Sequence, residues 1–139
     1  MANPNMHPIH VGNVRSEQGA LTGANTARTA PGATNQVALF VAGANGSLVE
    51  KIRAISNGAV TTLTSANVMR FWKLTGATYR LVKEIAIAAA TPTATAVGGD
   101  TGELVVNIRL DATETLTVTL HTYAGTQDGY DIDAQGGDF

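Results

Sequence analysis

The clearest signal along this chain is alternation with a period of two. In "ELVVNIRLD", Leu104, Val106, Ile108 and Leu110 fall on one side and Val105, Asn107, Arg109 and Asp111 on the other, the pattern of a strand with one buried face. "TLTVTLHTY" repeats it, with Leu116, Val118 and Leu120 inward and Thr117, Thr119 and His121 outward. Joined by "DATET", these two runs are expected to pair antiparallel. The stretch "DGYDIDAQGGDF" keeps the same period, with Tyr130, Ile132 and Ala134 against Asp131, Asp133 and Gln135.

Earlier in the chain, short β-prone runs alternate with turn residues: "QVALFVA", "LVEKIRAIS", "AVTTLT", "NVMRFWKL" and "YRLVKEIAI". Asn45-Gly46 in "GANGS" supplies two residues that tolerate positive φ, the chemistry of a tight hairpin, and "TGAT" marks a second turn. Leu48, Ile52 and Ile55 would also line a helical face, but the run is short and follows a hairpin signal, so a strand with an irregularity is expected. "AAATPTATAVGGDTG" has the composition of a long connection between sheets. About seven or eight short strands with no helix of convincing length predict an all-β fold, an antiparallel β-sandwich of jelly-roll or Greek-key type. Residues 21–139 form that single domain. Residues 1–20 are expected to be an extended N-terminal arm, because the first 35 residues hold three of the four prolines and no sustained period, and each proline removes a backbone donor. A short strand is allowed within Leu21 to Thr29.

Composition narrows the function classes. A chain of 139 residues is one ordinary domain. Without cysteine it has no disulfide, thiolate metal site or thiol nucleophile. A net charge of −2 offers no footprint for a phosphate backbone or an anionic lipid surface, so neither nucleic acid nor membrane is expected as a partner. No run approaches a membrane span, and "MANPNMHPIH" lacks the order of a signal peptide, so a product soluble where it is made is expected. Charged residues make up 14%, well below the roughly 25% of an average soluble domain. Such an exterior faces other protein, or is a neutral, threonine-rich β surface.

Candidate chemistry is sparse. Asp131, Asp133, Gln135 and Gly136 match the first half of a calcium loop, but the carboxylate required near its twelfth position has no place before Phe139. A strand with wet aspartates explains the spacing better. His7 and His10 are three apart, yet Pro8 opposes the helix that would align them, and no third ligand is near. His121 falls among outward threonines with no nucleophile beside it. Asn45-Gly46-Ser47 fits a glycosylation acceptor but already serves as a turn, and "GGDTG" lacks the lysine of a phosphate loop, leaving flexibility as its expected role. Adjacent Phe71 and Trp72 must point to opposite sides of a strand, one to the core and the other to an interface or beneath a loop. No cofactor and no catalytic constellation is expected.

The segments "TGANTARTAPGATNQVALFVAGANGSLVEKIRAIS" and "GATYRLVKEIAIAAATPTATA" and the closing "GGDF", together spanning residues 22–139, carry a resemblance. They contain an "aNt.R.g.Gt" lead-in, an "aG.nGs" turn, an "I..I.v" strand, a "YrLi.Ei.i" strand and a "gGDf/y" end. In this order they resemble small virion structural proteins of tailed bacteriophages, most of all capsid decoration, or cement, proteins. The resemblance implies a β-sandwich on the capsid surface of the virion, made in the host cytoplasm, bridging the major capsid protein and assembling as a homotrimer, with no enzymatic activity. The Pro- and Asn-rich start departs from the pattern. On that reading, partner contacts come from Met6, Ile9, Val11, Val14 and Leu21 near the arm, and from Trp72, Tyr123 and Phe139. The alternative is a glycan- or receptor-binding head-fibre or tail module, with Trp72, Tyr79 or Tyr123 stacking on sugar.

Overall fold

The computed structural model describes residues 12–57, 66–91, 93, 99–123 and 129–139. Eight strands are present: β1 (Asn13–Leu21), β2 (Gln36–Val41), β3 (Ser47–Ser56), β4 (Asn67–Thr75), β5 (Thr78–Ile87), β6 (Leu104–Leu110), β7 (Thr115–Leu120) and β8 (Tyr130–Asp138). They form two four-stranded antiparallel sheets, β1-β8-β3-β6 and β2-β7-β4-β5. β1 pairs with β8, β2 with β7, β3 with β6 and β4 with β5. These four nested pairs are what results when one long hairpin is rolled into two facing sheets, the strand order of a jelly roll. "AVTTLT" lies at residues 59–64, outside the described residues.

The alternation read from the sequence sets the core. Ile108 and Leu110 of β6, Leu116, Val118 and Leu120 of β7, and Tyr130, Ile132 and Ala134 of β8 are buried with Phe40, Val49, Ile52, Met69 and Phe71. Phe71 faces this inter-sheet core, as one of the adjacent pair had to.

Three expectations are corrected. β6 and β7 do not pair, because the turn after Leu110 carries the chain from one sheet to the other. Likewise β2 and β3 lie in different sheets, so the Asn45-Gly46 turn is an arch between sheets and not a hairpin. A turn's local chemistry reverses the chain, but which sheet the next strand joins depends on the faces available for burial. Residues 13–20, expected in the arm, instead belong to β1 and pair along β8 from Asn13↔Asp138 to Leu21↔Tyr130. Arg15 and Glu17 share the core-facing side of β1 with Leu21, and inward charge on an edge strand hides its alternation.

The irregularity expected in "LVEKIRAIS" is present: register shifts between Val49 and Lys51 against both β6 and β8. Opposite it, Asn107 takes a positive φ of 49°, where asparagine is tolerated.

Candidate functional site

The motif residues converge at two junctions. At the first, the "GANGS" arch meets the "GGDF" end. Gly46 donates its N–H to the Gly43 carbonyl at 3.0 Å and has φ of 90°, a conformation that favours glycine. The Ser47 hydroxyl accepts from the Gly43 N–H at 2.9 Å and donates to Asp138 Oδ1 at 2.6 Å. Arg15 donates to Asp138 at 2.9 Å and to the Val41 carbonyl at 3.0 Å, and also pairs with Glu17. Its guanidinium lies 4.6 Å from the Phe40 ring centroid, a cation–π contact. The hydrogen bond from Ser47 and the charge of Arg15 hold the Asp138 carboxyl below the usual carboxylate range. The Phe139 N–H donates to the Gly46 carbonyl at 3.2 Å, and the Asn45 amide donates to the Phe139 carbonyl at 3.3 Å. Gly136 must lack a side chain, because a Cβ there would collide with the Leu48 carbonyl on the neighbouring strand.

The second junction joins the "aNt.R" lead-in to "YRLVKEIAI". Buried Asn25 donates its side-chain amide to the Pro31 and Thr34 carbonyls, both at 2.8 Å, and its backbone N–H to the Leu120 carbonyl at 2.7 Å. This fixes the segment that carries Arg28 to Glu84 at 3.0 Å. Glu84 also accepts from Arg70 Nε at 2.8 Å, and that bond is the main reason its carboxyl titrates below the usual range. Arg70, only 3% exposed, places Nη1 3.0 Å from His121 Nδ1. A guanidinium can only donate, so Nδ1 is the acceptor. Between these residues sits Trp72, on the side of its sheet away from the core yet fully buried. Its indole N–H donates to Thr119 at 3.0 Å. Gln36 on β2 and Tyr79 on β5 join by a 2.7 Å hydrogen bond across that same face.

Among the residues expected to contact partners, Val14 is 82% exposed, while Tyr123 is half-buried against the core and Phe139 is half-buried. Leu21 and Trp72 are corrected: Leu21 is buried in the inter-sheet core and Trp72 on the outer side of its sheet, so neither has surface to offer. Met6, Ile9, Val11, His7 and His10 lie outside the described residues. His121 lies on the outward side of its sheet, half-buried and held in the Arg70 network. Asp131 and Asp133 are strand positions bonded to Asn57 and Ser16, and among the described residues no group of three or more His, Asp or Glu is arranged to hold a metal ion. Residues 99–102 are tied to β3, with Asp100 bonded to Arg53 at 2.7 Å and Thr101 to Ala54 at 3.0 Å, which corrects the expected flexibility there. No helix among the described residues is long and apolar enough to cross a membrane.

Sequence reasoning missed the ion pairs. Arg15, Arg28, Lys51, Arg53, Arg70, Lys73 and Arg109 each lie within ion-pair reach of a carboxylate. The available signal was a single arginine inside the otherwise apolar "VMRFW", since a charge there must be paired if the strand is buried on both faces. The clusters form pinned struts, in which each carboxylate is engaged by a cation.

No family model matches the chain, and no curated protein matches it. Among solved structures it is similar to a chain of the cyanophage Pam1 capsid asymmetric unit, at 14% identity over 98% of this chain and 91% of that one, with a TM-score of 0.47. It is also similar to a chain of infectious bursal disease virus, strain Gx, at 11% identity over 99% of this chain and 36% of that one, with a TM-score of 0.34. Both superpositions are too loose to assign a role.

Proposed function

We propose that this chain is a virion structural protein, a capsid decoration protein that stabilises the head by bridging major capsid proteins and works as a homotrimer on the capsid surface. The observation that supports it is the use made of the resembling motifs: "GANGS", "GGDF", "ANTAR" and "YRLVKEI" meet at the two junctions that close the sandwich. The resemblance therefore concerns a whole fold held by named contacts, and its functional content is carried by analogy with that family. A docking role also suits an exterior with apolar residues left at the rims, Val14, Val41 and Val105 among them. The sugar-platform alternative loses its main ring, because Trp72 is sealed and the Tyr79 hydroxyl is engaged by Gln36.

The test is analytical ultracentrifugation of the purified protein, followed by pelleting with tailed-phage heads stripped of decoration protein. A concentration-stable trimer that saturates the heads is expected. A monomer at high concentration that stays in the supernatant would overturn the proposal.

A further inference from the structure

All nine lysines and arginines of the chain lie within the described residues, and seven of them sit in ion pairs. The other two, Arg80 and Lys83, are on one strand. That strand, β5, is ten residues long and forms the outer edge of its sheet, hydrogen-bonded only to β4 among the described strands. Register places Arg80 opposite Lys73 and Lys83 opposite Phe71, so both cations project from the same side of the sheet. Between them come Leu81 and Val82, 37% and 39% exposed. The only carboxylate on β5, Glu84, is already committed to Arg70 and Arg28. This edge therefore combines main-chain donors and acceptors left unpaired by the described strands, exposed apolar side chains and two positive charges outside any ion pair.

We infer that β5 is a strand-addition site for an extended segment of another protein that carries carboxylates between apolar residues. Main-chain hydrogen bonding along β5 would supply affinity, and Arg80 and Lys83 the choice of partner. The charges also reject alternatives. Two copies joined edge to edge through β5 would bring four like charges together, and basic or neutral strands gain nothing from them. The register shift between Phe71 and Trp72 falls at this point of β5, which narrows the edge further to a strand able to follow a bulge. The inference extends the proposed docking role by giving the chemistry of the partner's segment, and rests on that role only for the partner's source.

The probe is a pair of short synthetic peptides, one alternating valine with glutamate and the other valine with lysine, added to the full chain while amide hydrogen exchange is followed by NMR. The glutamate peptide is expected to protect β5 amides in a salt-sensitive manner and the lysine peptide to leave them unchanged. The double variant Arg80→Glu, Lys83→Glu, checked for an unaltered melting temperature, should weaken the glutamate peptide at least about fivefold and gain affinity for the lysine peptide. Equal binding of the two peptides, protection elsewhere, or protection of β5 in the protein alone that vanishes on dilution, which would assign the edge to a second copy, would each overturn the inference. If wild type pellets with heads and the double variant does so equally well, the inference fails while the decoration role stands; failure of the wild type to pellet counts against the role alone.

Discussion

The two outward faces of this sandwich are built from the same alternation yet reach opposite ends. On the β1-β8-β3-β6 sheet the outward positions are wet: Ser16 and Gln135 bond Asp133, Asn57 bonds Asp131, and Lys51 and Arg53 pair with Glu103 and Asp100, all through exposed hydrogen bonds. On the β2-β7-β4-β5 sheet, the outward positions Arg70, Trp72, Thr117 and Thr119 are buried. There the sheet carries a second, smaller packed layer, roofed by the Gln36–Tyr79 bond and flanked by the Arg28–Glu84–Arg70 ion pairs. Period two shows which residues share a side, but it does not show whether that side is wet. A threonine suits either a solvated β surface or a hydrogen-bonded packed one.

This contrast can be broken at graded cost. Trp72→Ala should destabilise by about 3–5 kcal/mol, as much as Phe71→Ala on the true core side, because both empty a packed site; urea denaturation compares the two, and a Trp72→Ala loss like that of a surface residue would dissolve the second layer. Gly136→Ala should cost about 1–3 kcal/mol by forcing β8 away from the Leu48 carbonyl, read from the same curves. Acid should act on the pinned struts. The carboxyls of Asp138, Asp100 and Glu84 are held low by Ser47 and Arg15, by Arg53, and by Arg70, respectively. For Glu114, burial pushes upward but Lys73 and the Asp111 N–H outweigh it. Folded values below the unfolded ones mean stabilisation that is complete above the ordinary carboxylate range, about pH 4, and lost as pH falls through the depressed values. Melting temperature should therefore hold from about pH 7 to about pH 5 and decline below, with Asp138→Asn showing the shallower decline. Smallest of all, Gln135→Ala on the wet face should stay within about 0.5 kcal/mol of wild type.

Much of the fold was legible because burial on one side of a strand writes itself into the sequence. Leu104 to Leu110, Leu116 to Leu120 and Tyr130 to Ala134 could be assigned inward from spacing alone, and the bulge in β3 left its mark as broken alternation. β1 was not legible, since Arg15 and Glu17 occupy inward positions and the strand is defined by its partner β8. Nor were the sheet changes after Val41 and Leu110, where the turn residues are those of a hairpin and only the packing of distant strands decides otherwise. For the site, the burial of one of the adjacent pair Phe71 and Trp72 in the core was readable from alternation. The burial of Trp72 was not, because its roof is made by Gln36 and Tyr79 from strands on the two edges of the sheet. The isolation of Arg80 and Lys83 was equally hidden, being visible only after every other cation had found its carboxylate.

The most direct test of a rolled sandwich that docks through its rims and edges is a cryo-electron microscopy map of stripped tailed-phage heads incubated with this protein. Density into which the β1-β8-β3-β6 and β2-β7-β4-β5 sheets fit, repeated at equivalent lattice positions and touching major capsid subunits, is the expected result. Bare heads at saturating protein concentration would contradict it.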